Sequence, residues 1–382
     1  MNELTRDPRV LVAASVLATV ATVFPGFLAG ALFVQVGAEL GVSEGTYGWA
    51  LGSFFLGAGA GSIALGRLAQ RIGARSQISF ALVGTIVAQL TLAMIARSFT
   101  ALIVCLVFAG LMNAATQTAV NLALSQARLP RLGLAISVKQ SGMPAAALLS
   151  GVAIPIVALT VGWRWAFVMG AFIGLVALLA VRLVVQSVDS EDHRDGHRPR
   201  SSRRALVVVA SAGAFLAFCA GALNAWTVAS GVDAGLGEGT AGVMLAGGAA
   251  AGIAIRLGSG TRLDAMRMRP LQVGGYMVLI GALGMALLGV RSPGIHVVAT
   301  LVAFGGGWIW PVFTNFGIVR ANQAAASAAT GITQTGVYVG VLLGPPATGW
   351  LIEAFGYPAM WLVVAFLAVI GSVLALSIAN EF

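Results

Sequence analysis

Apolar runs long enough to cross a bilayer recur along the chain, separated by short polar breaks. They fall near residues 10–37, 45–66, 78–96, 101–125, 133–160, 165–186, 205–230, 240–260, 271–290, 295–319, 330–352 and 358–379. A helix of about 20 apolar residues spans the hydrocarbon of a bilayer, so the pattern predicts an all-α membrane protein with twelve transmembrane helices. The first run, from Val10 to Val36, is too long for a secretory signal and no small-residue cleavage site follows it. It reads as the first span. One break is long: Asp189 to Arg204 is polar, mixed in charge and contains Pro and Gly, as flexible linkers do. The expected organisation is a six-helix bundle over 1–186, a linker over 187–204 and a second six-helix bundle over 205–382.

The two bundles repeat in sequence. Glu44, Gly45 and Thr46 recur as Glu238, Gly239 and Thr240, an offset of 238 − 44 = 194. The same offset places Gly48 on Gly242, Leu51 on Leu245, Gly66 on Gly260 and Asn121 on Asn315. Further on it places Gln140 on Gln334, Gly142 on Gly336 and Gly162 on Gly356. Two parallel repeats of six helices follow, with a binding site expected at their interface near mid-membrane.

Composition narrows the class. Hydrophobic residues make up 58% of the chain and charged residues 9%, with a mean hydropathy of +0.93. A soluble domain carries roughly 25% charged residues, which excludes a water-soluble surface. A net charge of +9 would suggest nucleic acid in a soluble protein, but the arginines sort by side instead. Arg6, Arg9, Arg67, Arg71, Arg75, Arg128, Arg131, the linker cluster, Arg262, Arg267, Arg269 and Arg320 fall on one side. Arg97, Arg164 and Arg291 fall on the other, with Glu39, Glu44, Asp233, Glu238 and Glu353. Positive charge marks the cytoplasmic side. A multi-pass inner (plasma) membrane protein is expected, with both termini cytoplasmic and no nucleic acid partner. Cys105 and Cys219 lie within apolar runs, His193 and His197 in the linker, and His296 at the outer end of span ten. They form no disulfide pattern, metal cluster, nucleophile–base pair or phosphate loop, so no enzyme, cofactor or metal is expected.

The polar residues at membrane depth carry the chemistry. Lys139 is the only lysine among 22 basic residues. A cation there costs about 2.5–3.5 kcal/mol on insertion scales and generally faces a cavity or a partner. Lys139 lies six residues after Gly133 and Arg256 four before Gly260, which sets them ~9 Å and ~6 Å in from one side at 1.5 Å per residue. Snorkelling of Arg256 to the headgroups is the alternative. All thirteen acids fall in termini, loops or span ends, so two embedded cations lack an internal counter-ion and point to an anionic cargo. Asn113, Gln117 and Asn121 lie at i, i+4 and i+8 along one helix face. That stripe fits cavity lining and inter-helix hydrogen bonding equally. Asn224, Asn315, Gln140, Gln334 and Tyr338 add neutral donors and acceptors. Trp308 and Trp310 sit near mid-membrane, one expected to line the cavity and the other to pack. Pro144, Pro155 and the stretch Gly340–Pro346 are expected bends and hinges.

Twelve spans arranged as six plus six around a cytoplasmic linker resemble the major facilitator superfamily of secondary transporters. The loop between spans two and three in that family runs Gly-x-x-x-Asp-Arg-x-Gly-Arg-Arg. Gly66, Arg71 and Gly73 match it, Arg75 serves as the terminal base, and Gln70 stands where the family has its latch aspartate. The second copy, from Gly260, keeps the acid as Asp264 and has Ala265 in place of the arginine. The resemblance implies that Gly66, Gln70, Arg71, Gly73, Arg75 and Asp264 form a conformational gate, with the first latch altered at Gln70. A narrower likeness lies in Val138, Lys139, Gln140, Ser141, Gly142 and Pro144, which resemble the fifth span of the cyanate/nitroimidazole-type branch. Arg256 sits where oxalate and monocarboxylate transporters carry a substrate-binding arginine. Spans five and eight adjoin in this family, so Lys139 and Arg256 would converge on one ligand.

The expectation is therefore a secondary active transporter of a small organic or inorganic anion, foremost a carboxylate, working by alternating access. Anion exchange and proton-linked symport both fit. The expected substrate-binding set is Lys139, Arg256, Gln140, Asn121, Asn315, Tyr338, Asn113, Gln117, Gln334 and Trp308. The expected partners are a small anionic solute, membrane lipid and, in the symport form, a proton, with the protein a monomer. An exporter of hydrophobic drugs competes with this reading and predicts broad substrate competition and indifference to Lys139. A non-transporting membrane sensor or structural protein also competes and is eliminated by any measured substrate flux.

Overall fold

A computed structural model describes residues 8–126, 132–184, 200–266 and 268–382. The expected linker up to residue 199, Arg6, Arg128, Arg131 and Arg267 lie outside these residues, as does the side chain of Arg9. Every element among the described residues is helical. In chain order they are α1 (Pro8–Ala31), α2 (Phe33–Leu40), α3 (Glu44–Ile72), α4 (Ala74–Met94) and α5 (Phe99–Gln126). Span five is broken into α6 (Leu132–Gln140), α7 (Gly142–Ala153), a π turn (Ile154–Ala158) and α8 (Leu159–Val161), before α9 (Trp163–Val184). Then come α10 (Arg203–Asp233), α11 (Glu238–Leu263), α12 (Pro270–Leu287), α13 (Pro293–Val302), a second π turn (Ala303–Gly307), α14 (Trp310–Ala321) and α15 (Ala326–Ser377).

Ten helical stretches among the described residues are long and apolar enough to cross a membrane, and α3, bent by 56° near residue 63, makes eleven. Within α15 the backbone leaves helical geometry at Gly356, φ 79° and ψ 170°. Spans eleven and twelve are therefore joined end to end, which brings the number of crossings to the expected twelve. The protein is an all-α membrane protein of two parallel six-helix repeats.

The backbone keeps the repeat where a side chain would be strained. Gly41 and Gly235 have φ of 63° and 98°, and Gly162 and Gly356 have 104° and 79°. Each pair is separated by 194 residues (235 − 41 and 356 − 162). Only glycine enters this region without cost, so both repeats turn between spans by the same means.

A bend expected at Gly340–Pro346 takes another form. The helix runs on through Pro345 and Pro346, although Pro346 leaves the Leu342 carbonyl without its helical donor. Gly52 of α3 lies against that carbonyl: a Cβ there would come 2.8 Å from the oxygen. Packing of a glycine on the freed group keeps α15 continuous.

Candidate functional site

The site begins with two prolines. Pro144 has no N–H, so the Gln140 carbonyl four residues earlier receives no helical hydrogen bond. The helix breaks there, at Ser141, between α6 and α7. In span ten, Trp308 follows the second π turn and Pro311 occupies the first turn of α14. The Val312 N–H donates to Ile309 at 3.1 Å, which leaves the Trp308 carbonyl free.

Arg256 of α11 takes both freed carbonyls. Its Nη1 donates to Gln140 O at 2.7 Å and its Nη2 to Trp308 O. The guanidinium carbon lies 5.1 Å from the Trp308 ring centroid. Arg256 is 2% exposed, so its stem does not carry the charge out to the headgroups. The Trp308 ring in turn stands 5.8 Å from Phe27 of α1. One cation thus joins a broken helix of each repeat. The carbonyls take two of its donors but bring no negative charge, and Nε stays buried without a partner.

Lys139 occupies the last turn of α6, one residue before the carbonyl that Arg256 holds. It is half-buried and, among the described residues, has no hydrogen-bond or ion-pair partner. No described carboxylate pairs with either cation. Gln140, Arg256 and Trp308 are therefore brought together, with Lys139 next to Gln140 along α6.

The other expected residues distribute differently. Asn113 is buried and accepts a hydrogen bond from Thr22 of α1 at 3.3 Å through Oδ1. Gln117 is buried with its Nε2 unpartnered, as are the hydroxyls of Ser15 and Thr19 on α1. The stripe on α5 thus turns its first two members toward α1, while Asn121 is exposed. Tyr338 packs where Gly59 of α3 meets α15. Asn315, Gln334 and Tyr338 are half-buried, and no hydrogen bond joins them to Arg256. Trp308 and Trp310 are both buried, and the Trp310 indole N–H has no partner. Asn224 donates to Ala220 O at 2.8 Å.

Contacts between repeats close the site on both sides. At the acidic end, Gln35 donates to Glu238 at 2.9 Å, the Gly45 N–H to Glu353 at 2.9 Å, and the Tyr357 hydroxyl to Glu44 at 3.4 Å. Gly48 lies against Pro345: a Cβ would stand 2.5 Å from its carbonyl oxygen. Sequence reasoning placed these acids at the outer end without giving them partners, although the repeat mates Glu44 and Glu238 share one duty. At the arginine-rich end, Asp264 accepts from the Gly133 N–H at 3.1 Å in the first turn of α6. The carboxylate satisfies an orphan donor at the positive end of a helix from the other repeat. Gly260 packs on Ser137. Of the other loop-motif residues, Gly73 takes a φ of 80° between α3 and α4. Arg75 donates to the Arg182 carbonyl at 2.7 Å, Gly66 faces Thr118, and Gln70 and Arg71 are exposed.

The comparisons with known proteins agree with this architecture. Residues 14–340 match the profile of the Major Facilitator Superfamily, and no curated protein matches the chain. With the match running through both repeats and the bridging site between them, the chain belongs to the Major Facilitator Superfamily of secondary transporters.

Proposed function

We propose that the cargo is a small anion, foremost a carboxylate, received between Lys139 and Arg256. The observation that carries this reading is Lys139 itself: half-buried and unpartnered among the described residues, one residue before the carbonyl held by an arginine whose hydrogen-bond partners are two neutral carbonyls. Arg256 has five N–H donors, of which the two carbonyls use one each. The remaining three, including the unpartnered Nε, present a fork that suits a carboxylate. The two freed carbonyls hold the fork in place, and the ligand brings the negative charge. Repeats over 1–186 and 205–382, linked by 187–204 with both termini cytoplasmic, rock about this point in the inner membrane. Any coupled proton travels on the carboxylic acid or on Lys139, since no acid occupies a span core. Exchange of one anion for another needs no proton.

Uptake by proteoliposomes, with a thermal-shift screen of carboxylates and inorganic anions, tests the reading. A bound anion raises the unfolding temperature of the wild-type protein. Lys139→Gln and Arg256→Gln are each expected to weaken binding roughly 10- to 100-fold, the worth of one charge-assisted hydrogen bond. Wild-type uptake in both variants removes the proposal. Broad competition by hydrophobic compounds together with indifference to Lys139 marks an exporter of such compounds instead.

A further inference from the structure

A second basic feature lies away from Arg256, at the arginine-rich end where α4 meets α9. Arg75, Ser76 and Ser79 of α4 and Arg182 of α9 line an open cleft of about 460 Å³. Arg75 donates through Nη2 to the Arg182 carbonyl at 2.7 Å, which sets its guanidinium across the mouth and leaves its other donors for a ligand. Among the described residues neither arginine is paired with a carboxylate, and neither serine hydroxyl is hydrogen-bonded. Ser76 and Ser79, at i and i+3, share a face of α4. The first N–H groups of α4, at Ala74 to Ser76, have no intrahelical acceptor and form the positive end of the helix.

The flank of the cleft is apolar. Phe80 on α4 is 55% exposed, and Leu179 and Leu183 on α9 are 55% and 75% exposed. A soluble phosphate gains nothing from this seam, whereas an acyl chain does.

We propose that the cleft holds the headgroup phosphate of an anionic phospholipid. Arg75 and Arg182 contact the phosphate oxygens, Ser76 and Ser79 donate to them, and an acyl chain lies along Phe80 and Leu179. Two guanidiniums without counter-ions at the membrane boundary form a headgroup site. Arg75 lies two residues after the Gly73 turn, so the lipid ties the loop between α3 and α4 to α9. This site is independent of the cargo.

Thermal unfolding of the full chain in nanodiscs tests it. Replacing part of the phosphatidylcholine with phosphatidylglycerol is expected to raise the wild-type unfolding temperature by a few degrees. R75Q/R182Q is expected to lose that gain, and R75K/R182K to keep part of it. R262Q/R269Q, which removes equal charge elsewhere at the same end, is expected to keep all of it. If R75Q/R182Q does not fold, R182Q alone, at an exposed position, is read in the same way. Glycerol phosphate added to phosphatidylcholine nanodiscs is expected to give no shift. An equal phosphatidylglycerol gain in wild type and the Arg→Gln variants overturns the site. A shift produced by free glycerol phosphate overturns the lipid as its occupant.

Discussion

Pro144 acts one helical turn away from itself. By withholding an N–H it gives the Gln140 carbonyl to Arg256, a hydrogen bond from a charged donor worth about 1.5–3 kcal/mol. Pro144→Ala restores the competing helical donor. That variant is expected to fold, to join α6 to α7 more continuously, and to lower proteoliposome uptake several-fold as Arg256 loses its anchor. Hydrogen exchange over 141–146 that slows while uptake falls supports the link, and unchanged uptake breaks it. Charge at membrane depth made Lys139 and Arg256 legible in the sequence. The partners of Arg256 were not legible, because backbone carbonyls leave no mark in residue type and become available only through tertiary packing. At the acidic end, burial raises the Glu39 carboxyl, but the hydrogen bonds from Arg164 and Trp163 outweigh it and hold it below its ordinary value. A folded value below the unfolded one gives stability that is present above the unfolded pKa of about 4.3 and is lost as pH falls through the depressed value. Glu39→Gln is therefore expected to unfold at a lower temperature than wild type at neutral pH. The gap should close on acidification, which thermal melts across a pH series would show.

At the scale of elements, the contacts between repeats depend on backbones that touch. Gly48 and Gly52 of α3 sit on the carbonyls of Pro345 and Leu342 in α15, a spacing that larger residues forbid. Gly48→Leu is expected to part this end. Gln35→Cys in that background should then react several-fold faster with a membrane-impermeant maleimide than in wild type, the native Cys105 and Cys219 being buried. An unchanged rate would mean that the seam tolerates the side chain. Apolar periodicity made the twelve spans legible in order, and the 194-residue offset made Gly162 and Gly356 equivalent before either was seen to have positive φ. At Pro345 and Pro346 the helix runs on, because the consequence of a lost donor depends on what lies beside the freed carbonyl. In span five the helix breaks and Arg256 takes the freed carbonyl; in span eleven the helix continues with a glycine packed on the freed carbonyl.

For the whole molecule, the repeat is close in geometry and unequal in charge. Gln70 and Asp264 occupy the same position in the two repeats, 264 − 70 = 194, and Asp264 reaches the first turn of α6. Asp264→Asn keeps the shape and removes the charge, and an acid facing the positive end of a helix contributes about 0.3–1 kcal/mol. Ser137→Cys, buried against Gly260, should become more reactive in that background, and unaltered labelling would show that the carboxylate is dispensable. A neutral amide at one corner and an anion at its twin make this mouth lopsided. A charged corner resists parting more than a neutral one, so on the proposed alternating-access reading the lips are expected to separate first beside α15, with α6 and α11 held longer by Asp264. In that case cargo would leave by a side door, and the rim of that door is where bulky inhibitors would wedge.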